Sequence, residues 1–245
     1  MSTPAAIILS PHLDDAVLSC WHLLDEGSGE VTVINVFAGS PHDNGAFPFW
    51  DRMTGATDSR ERLAERIAED AAALELAGHR PVNLGFLDEQ YRTAAQPVEP
   101  LVDGLRDRVA DAPLIYAPAA IGYMGSDHSL VREAALRLAD EGAVEARLYA
   151  DLPHALIYGW PSWVSGRPGQ VDPAPLWEAA LLDAGIAPQE AVPSVRELSP
   201  GGRARKLEAV LTYRTQSAAL DLMFGGLTRP DRLAYEVTWE LGGSR

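Results

Sequence analysis

The chain has one cysteine, Cys20, in 245 residues. An intramolecular disulfide is excluded, and so is a zinc site built of thiolates. Basic residues are scarce. Lys and Arg number 20 against 35 Asp and Glu, a formal net charge of -15. Nucleic acid and anionic membrane both demand a basic face, so neither is expected as a partner. Long apolar runs are missing as well. The run at 5–9 is too short for a signal-peptide core or a membrane span, and no basic segment precedes it. A cytoplasmic protein is the expectation. No Gly-x-Gly-x-x-Gly follows the first strand-like run, which argues against dinucleotide binding.

What is present builds a core. Hydrophobic residues make up 47% of the chain and charged residues 22%, as expected of one globular domain spanning 1–245. Continuous apolar runs at 5–10, 30–39, 113–118, 146–153, 192–199 and 233–241 read as strands, most of them covered on both faces. Helical patterns lie at 16–26, 59–77, 100–110, 129–141 and 202–211, the second stopped by Gly78. The alternation predicts an α/β fold: a Rossmann-like, doubly wound, mostly parallel sheet with helices on both faces. Two long loops, 40–58 and 159–175, hold Trp50, Trp160 and Trp163 and are expected to line a pocket.

The chemistry concentrates at two places. The first strand ends at Ser10, and Pro11-His12-Leu13-Asp14-Asp15 follow at once. Asp127-His128 comes shortly after the run that ends at Pro118, where a helix opens. In a doubly wound sheet such strand ends flank the switch point, outside which ligands bind. A hydrolytic zinc takes three N/O ligands and keeps a position open. His12, Asp15 and His128 supply two imidazoles and a carboxylate. Asp14 is left over beside a ligand, free to take the proton of a water that zinc acidifies. An ordinary reading stands next to this one. Asp-Asp after a strand also serves as a helix N-cap with a first-turn acid, and a histidine in a turn is often plain surface. The residues alone leave both open.

Residues 10–20, Ser-Pro-His-Leu-Asp-Asp-Ala-Val-Leu-Ser-Cys, resemble the signature of the LmbE-like, or PIG-L, zinc deacetylases. Supporting likenesses lie at Arg66, Glu69, Asp70 and Ala73, over 84–92, and at Lys206, Tyr213 and Gln216. The resemblance implies a Rossmann-like sheet. It implies His12 and Asp15 as zinc ligands, Asp14 as general base, and His128 as the third ligand. It also implies removal of an acetyl group from an amino sugar. Another divalent cation would satisfy the same donors. One position departs from the pattern. Gly125 stands where the family has a histidine, thought to steady the oxyanion or protonate the leaving amine. Loss of an oxyanion donor typically costs roughly 100- to 1000-fold in rate. His154 and His42 are the candidates to replace it, and each also reads as an ordinary loop histidine.

Arg66, Asp88, Arg92 and Trp50 are the candidate substrate contacts. Each has a second reading. Arg66 stands at i,i+4 spacing to Asp70 and pairs with it on that reading. Asp88, Arg92 and Asp127 are placed to orient a metal-bound imidazole. Trp50, Trp160 and Trp163 either stack on a sugar or anchor their loops. Cys20 reads as small core packing. The expectation is therefore a zinc-dependent hydrolase that removes an N-acyl group, first of all N-acetyl, from an amino sugar or related small metabolite. Specialised-metabolite biosynthesis fits this best. The alternatives are an amidase for thiol-sugar conjugates, or a zinc-binding homologue whose activity is altered or lost, which Gly125 favours. A homo-oligomer is compatible with the sequence.

Overall fold

The computed structural model describes residues 6–27, 29–41, 47–122, 126–142, 144–167, 170–229 and 231–242. Their strands are β1 (Ala6–Ser10), β2 (Val31–Asn35), β3 (Pro81–Asn83), β4 (Leu114–Pro118), β5 (Glu145–Tyr149), β6 (Ala191–Glu197) and β7 (Tyr235–Leu241). All seven join one sheet in the order β3-β2-β1-β4-β5-β7-β6. The first five in that order run parallel, and β7 is antiparallel to both β5 and β6. Every residue of β1 is buried, and so is all of β2 except Thr32. Strands covered on both faces keep no polar alternation, which is why these two are continuous apolar runs.

The edges behave differently. β3 is three residues long and begins at Pro81, a residue that an edge tolerates because it has no N–H to donate. It is too short and too exposed to stand out by pattern. β6, at the other edge, is exposed from Val192 to Glu197 and carries Pro193.

Helices surround the sheet: α1 (Asp15–Ser19), α2 (Trp21–Asp25), α3 (Phe49–Met53), α4 (Ser59–Glu75), α5 (Glu99–Val109), α6 (Ser126–Asp140), α7 (Ser162–Ser165), α8 (Ala174–Asp183), α9 (Pro200–Thr212) and α10 (Ser217–Phe224). The single helix expected over 16–26 is two, broken at Cys20. The reason lies far away in sequence. Glu236 of β7 accepts the N–H groups of Trp21 and His22, both at 2.8 Å, and so caps α2 with a buried carboxylate. α4 matches its pattern closely. Asp58 caps it by accepting the N–H groups of Arg60 and Glu61, and the chain leaves it through Gly78 at φ +77°. α6 opens three residues earlier than expected, so His128 lies inside its first turn rather than ahead of it.

The two long loops are partly helical, holding α3 and α7. Around the second, the rings of Trp160, Trp163 and Trp239 each lie about 6 Å from that of Trp177. This cluster secures the segment to the sheet, which answers the question left open for Trp160 and Trp163 in favour of anchoring. No helix among the described residues is long and apolar enough to cross a membrane.

The strand order reverses between β1 and β4, which pair side by side. The carboxyl ends of these strands, Ser10 and Pro118, therefore open on one crevice. Beside it the β4–α6 connection presses on the segment after β5. Gly122 has φ +94°, and a Cβ there would lie 2.7 Å from the carbonyl oxygen of His154. Only glycine satisfies both conditions.

Candidate metal and catalytic centre

The turn after β1 is closed by Ser10. Its hydroxyl donates to the carbonyl of His12 at 2.6 Å and accepts the N–H of Ala16 at 3.0 Å. Asp14 occupies the N-cap position of α1, but its carboxylate caps no backbone N–H. The ordinary N-cap reading of Asp14 thus fails. Asp15, one residue on, is buried, and its Oδ2 accepts the N–H of His12 at 2.8 Å.

α6 brings the second half of the site. Nε2 of His128 lies 3.6 Å from Oδ2 of Asp15, and Nδ1 of His12 lies 3.4 Å from the same oxygen. Donor atoms of His12, Asp15 and His128 all fall within 4.8 Å of one another. Two ligands each about 2.1 Å from a tetrahedral zinc stand about 3.4 Å apart. The donor set therefore fits a divalent cation.

The outward nitrogens of both rings face carboxylates. Nδ1 of His128 is 2.8 Å from Oδ1 of Asp151, and Nε2 of His12 is 3.2 Å from Oδ2 of Asp127. A carboxylate that accepts one ring N–H would leave the opposite nitrogen's lone pair for a cation. Asp127 is what the sequence reading expected. Asp151 is not, and it is buried completely, its Oδ2 accepting the N–H of Ile121 at 3.3 Å.

The charges agree with this. Burial alone would lower both imidazoles, yet Asp88, Asp127 and Asp15 raise His12, and Asp15 with Asp151 raises His128. Burial would raise Asp15, but His128 and His12 hold it well below the usual carboxylate range. A nest of anions that gathers protons on two imidazoles is one in which a cation can replace those protons. Asp14 differs. Burial and the neighbouring Asp15 push its carboxyl up, with Arg66 and His12 pulling the other way. A raised carboxyl is better matched to accepting a proton near neutral pH.

Among the described residues a second group, His12, Asp88 and Asp127, also converges. Cations already serve it. Nη2 of Arg92 is 2.6 Å from Oδ1 of Asp127, and Nη1 of Arg66 is 3.7 Å from Oδ2 of Asp88.

The remaining sequence candidates divide. Arg66 is buried and faces Asp88 and Asp14, whereas Asp70 accepts hydrogen bonds from Tyr213 and Asn35 instead of pairing with Arg66. Asp88 is held by the backbone N–H and side-chain amide of Gln90. Arg92 donates to the carbonyl of Leu87 and to Ser126, sits 5.2 Å over the Phe37 ring, and clamps Asp127. Its donors are committed to the protein. Trp50 donates its indole N–H to Gln216 at 2.5 Å, which anchors α3 to the start of α10. His154 does reach the site, its ring 5.4 Å from that of His128 and 5.0 Å from that of Phe224. Gly125 and His42 lie outside the described residues. The C-terminal likeness is explained by support: Lys206 binds Glu236, Tyr213 binds Asp70, and Gln216 binds Trp50.

No family model matches the chain, and no curated protein matches it. Solved structures do. A triple mutant of a deacetylase involved in teicoplanin biosynthesis is 28% identical, with a TM-score of 0.73 over 96% of each chain. The zinc-inhibited form of teicoplanin deacetylase Orf2 is 26% identical, with a TM-score of 0.72 over 96% of each chain. The A40926 pseudoaglycone deacetylase Dbv21 is 27% identical, with a TM-score of 0.67 over 98% of this chain and 97% of that one. These neighbours are deacetylases of the LmbE/PIG-L type. The likeness first seen in residues 10–20 therefore runs through nearly the whole fold.

Proposed function

We propose that this protein is a zinc-dependent N-deacetylase that acts on an amino sugar within a specialised metabolite. The observation that carries the reading is the set His12, Asp15 and His128, with donor separations of 3.4 and 3.6 Å and a carboxylate behind each imidazole. Deacetylases of teicoplanin and of the A40926 pseudoaglycone share its fold. An open depression of about 440 Å³, lined by Glu89, Gln90, Arg92, Thr93, Ala94, Ala95 and Ser126, adjoins Asp127.

Zinc held there would polarise the acyl carbonyl and acidify a water. Asp14 is the base placed to take a proton from an attacking water. The C–N bond then breaks, and the nitrogen departs as an amine once it gains a proton. His154 is the group assigned to deliver that proton, in place of a side chain at position 125. Arg66 and Asp88 meet the sugar hydroxyls, the first as donor and the second as acceptor. Arg92 and Trp50 act one step back, steadying Asp127 and α3. On this reading the domain is single over 1–245 and acts in the cytoplasm on a soluble N-acylated substrate.

The test is amine release from a panel of N-acetylated amino sugars and their glycoconjugates, with metal-free and zinc-loaded protein compared. Release that depends on zinc is expected. Silence across the panel from fully zinc-loaded protein would overturn the reading.

A further inference from the structure

Glu89 is a side chain that the reaction above does not use, and it stands between the two halves of the metal centre. Its carboxylate lies at the opening of α6, where Oε2 accepts the N–H of Ser126 at 2.5 Å and the hydroxyl of Ser126 at 2.8 Å. Its own N–H donates at 2.9 Å to Oδ2 of Asp127, the oxygen that faces Nε2 of His12. His128 comes two residues beyond Ser126, and its Nε2 faces Asp15. One residue of the β3–α5 connection therefore holds the segment that supplies one ligand and the carboxylate behind another.

We propose that Glu89 is a positioning residue: it caps α6 from outside the helix and so sets where His128 and Asp127 stand relative to the His12–Asp15 turn. The proposal rests on the metal centre of the deacetylase reading, and three observations support it. First, the start of a helix leaves its first N–H groups without partners. The usual remedy is a Ser, Thr, Asp or Asn oxygen one residue ahead. Here that residue is Gly125, which has no side-chain oxygen. Glu89 supplies the acceptor instead, and a carboxylate at that end also matches the helix dipole. Second, the contact is shared. Nη2 of Arg92 donates to Oγ of Ser126 at 2.9 Å and lies 2.6 Å from Oδ1 of Asp127. Arg92, the Ser126 hydroxyl and Glu89 thus form a chain in which each group donates to the next. Third, the turn at Glu89–Tyr91 is held from its other side. Asp88 accepts the N–H of Gln90, and the buried Tyr91 donates its hydroxyl to the fully buried carboxylate of Asp51 at 3.1 Å. A turn fixed in the core can place a helix end, whereas a free turn would follow it. Glu89 and Ser126 are themselves exposed, so removing the carboxylate opens no cavity in the core.

The test compares wild type with Glu89→Ala and Glu89→Gln. Glutamine keeps an acceptor oxygen, and both variants keep the backbone N–H that reaches Asp127. The Ser126 amide, read on metal-free protein, should resist hydrogen exchange in the wild type and in Glu89→Gln and lose that protection in Glu89→Ala. Zinc affinity, measured by competition with a chelator, should weaken about 10-fold or more in Glu89→Ala, the usual cost of a lost supporting partner. In cobalt-substituted protein the visible bands report the geometry around the ion. They should shift in Glu89→Ala and return to the wild-type position in Glu89→Gln, a rescue that general loosening of the fold does not produce. A Glu89→Ala with wild-type zinc affinity and cobalt bands overturns the proposal, as does a Glu89→Gln as impaired as Glu89→Ala. None of these arms needs turnover. If they succeed and no N-acetylated sugar is hydrolysed, the deacetylase reading alone has failed.

Discussion

Oδ1 of Asp151 stands 2.8 Å from Nδ1 of His128, and neither residue is more than 2% exposed. A buried imidazole with a carboxylate on one nitrogen has its tautomer decided, and its other nitrogen points at Asp15. The pair joins the first residues after β5 to the first turn of α6, the two segments that flank the site on the β4 side. Removal of Asp151 should therefore act on metal binding before it acts on anything else. We expect Asp151→Ala to weaken zinc binding roughly 10- to 100-fold, in keeping with carboxylates in this position. Competition titration against a chelator measures it. Unchanged affinity would mean that Asp151 merely fills space.

The ligands themselves should show a larger effect. His12→Ala, Asp15→Ala and His128→Ala should each purify with little zinc, measured by elemental analysis of folded protein. Full occupancy in any one of them removes that residue from the ligand set. Asp14→Asn should behave in the opposite way. It keeps its zinc and loses turnover by about 100-fold or more, the usual worth of a placed general base. Turnover at the wild-type rate would show that another group accepts the proton.

His154 is tested by separating metal content from rate. Its ring lies beside His128 and makes no part of the three-donor set. His154→Ala should leave zinc content intact and lower kcat, by about 100-fold if His154 delivers the proton to the amine. The alkaline limb of the pH–rate profile, where a proton donor is lost, should change in the variant as well. A kcat and profile equal to wild type would assign that duty to some other group.

The readable parts of this molecule are those decided locally. β1 and β2 are legible because burial on both faces strips them of polar residues. His12, Asp14 and Asp15 are legible because a strand end, a tight turn and a helix start follow one another within a few residues. α4 is legible through its cap at Asp58 and its exit at Gly78. The unreadable parts depend on distant partners. The break at Cys20 is made by Glu236, which is 215 residues from Trp21. The role of Asp151 exists only once β4 and β5 lie side by side. Trp50 carries an aromatic ring in a long loop, and its partner Gln216, which holds the indole N–H, lies far away in sequence. Arg92 looks available until Asp127, Ser126 and Leu87 are seen to occupy it.

Lys206 and Glu236 supply a prediction about stability rather than chemistry. Both are fully buried, with Nζ and Oε1 2.5 Å apart. Glu236 also accepts the two N–H groups of α2 and faces Nδ1 of His22 at 2.6 Å. Breaking such a pair from one side strands a buried charge, which costs about 3–5 kcal/mol. Lys206→Met should lose stability of that order in denaturant unfolding, and adding Glu236→Gln should restore part of it. A Lys206→Met as stable as wild type would show the pair to be incidental. The pH dependence follows from the same carboxyl. Burial would raise it, but Lys206 and His22 pull it down to about 2 from an ordinary 4.5. A carboxyl depressed in the folded state binds its proton more readily in the unfolded chain. Its contribution is therefore complete above about pH 4.5 and is lost as pH falls toward 2, on the order of 3 kcal/mol in all. Glu236→Gln should flatten this acid limb of the stability curve, and a limb as steep as wild type would place the sensitive group elsewhere.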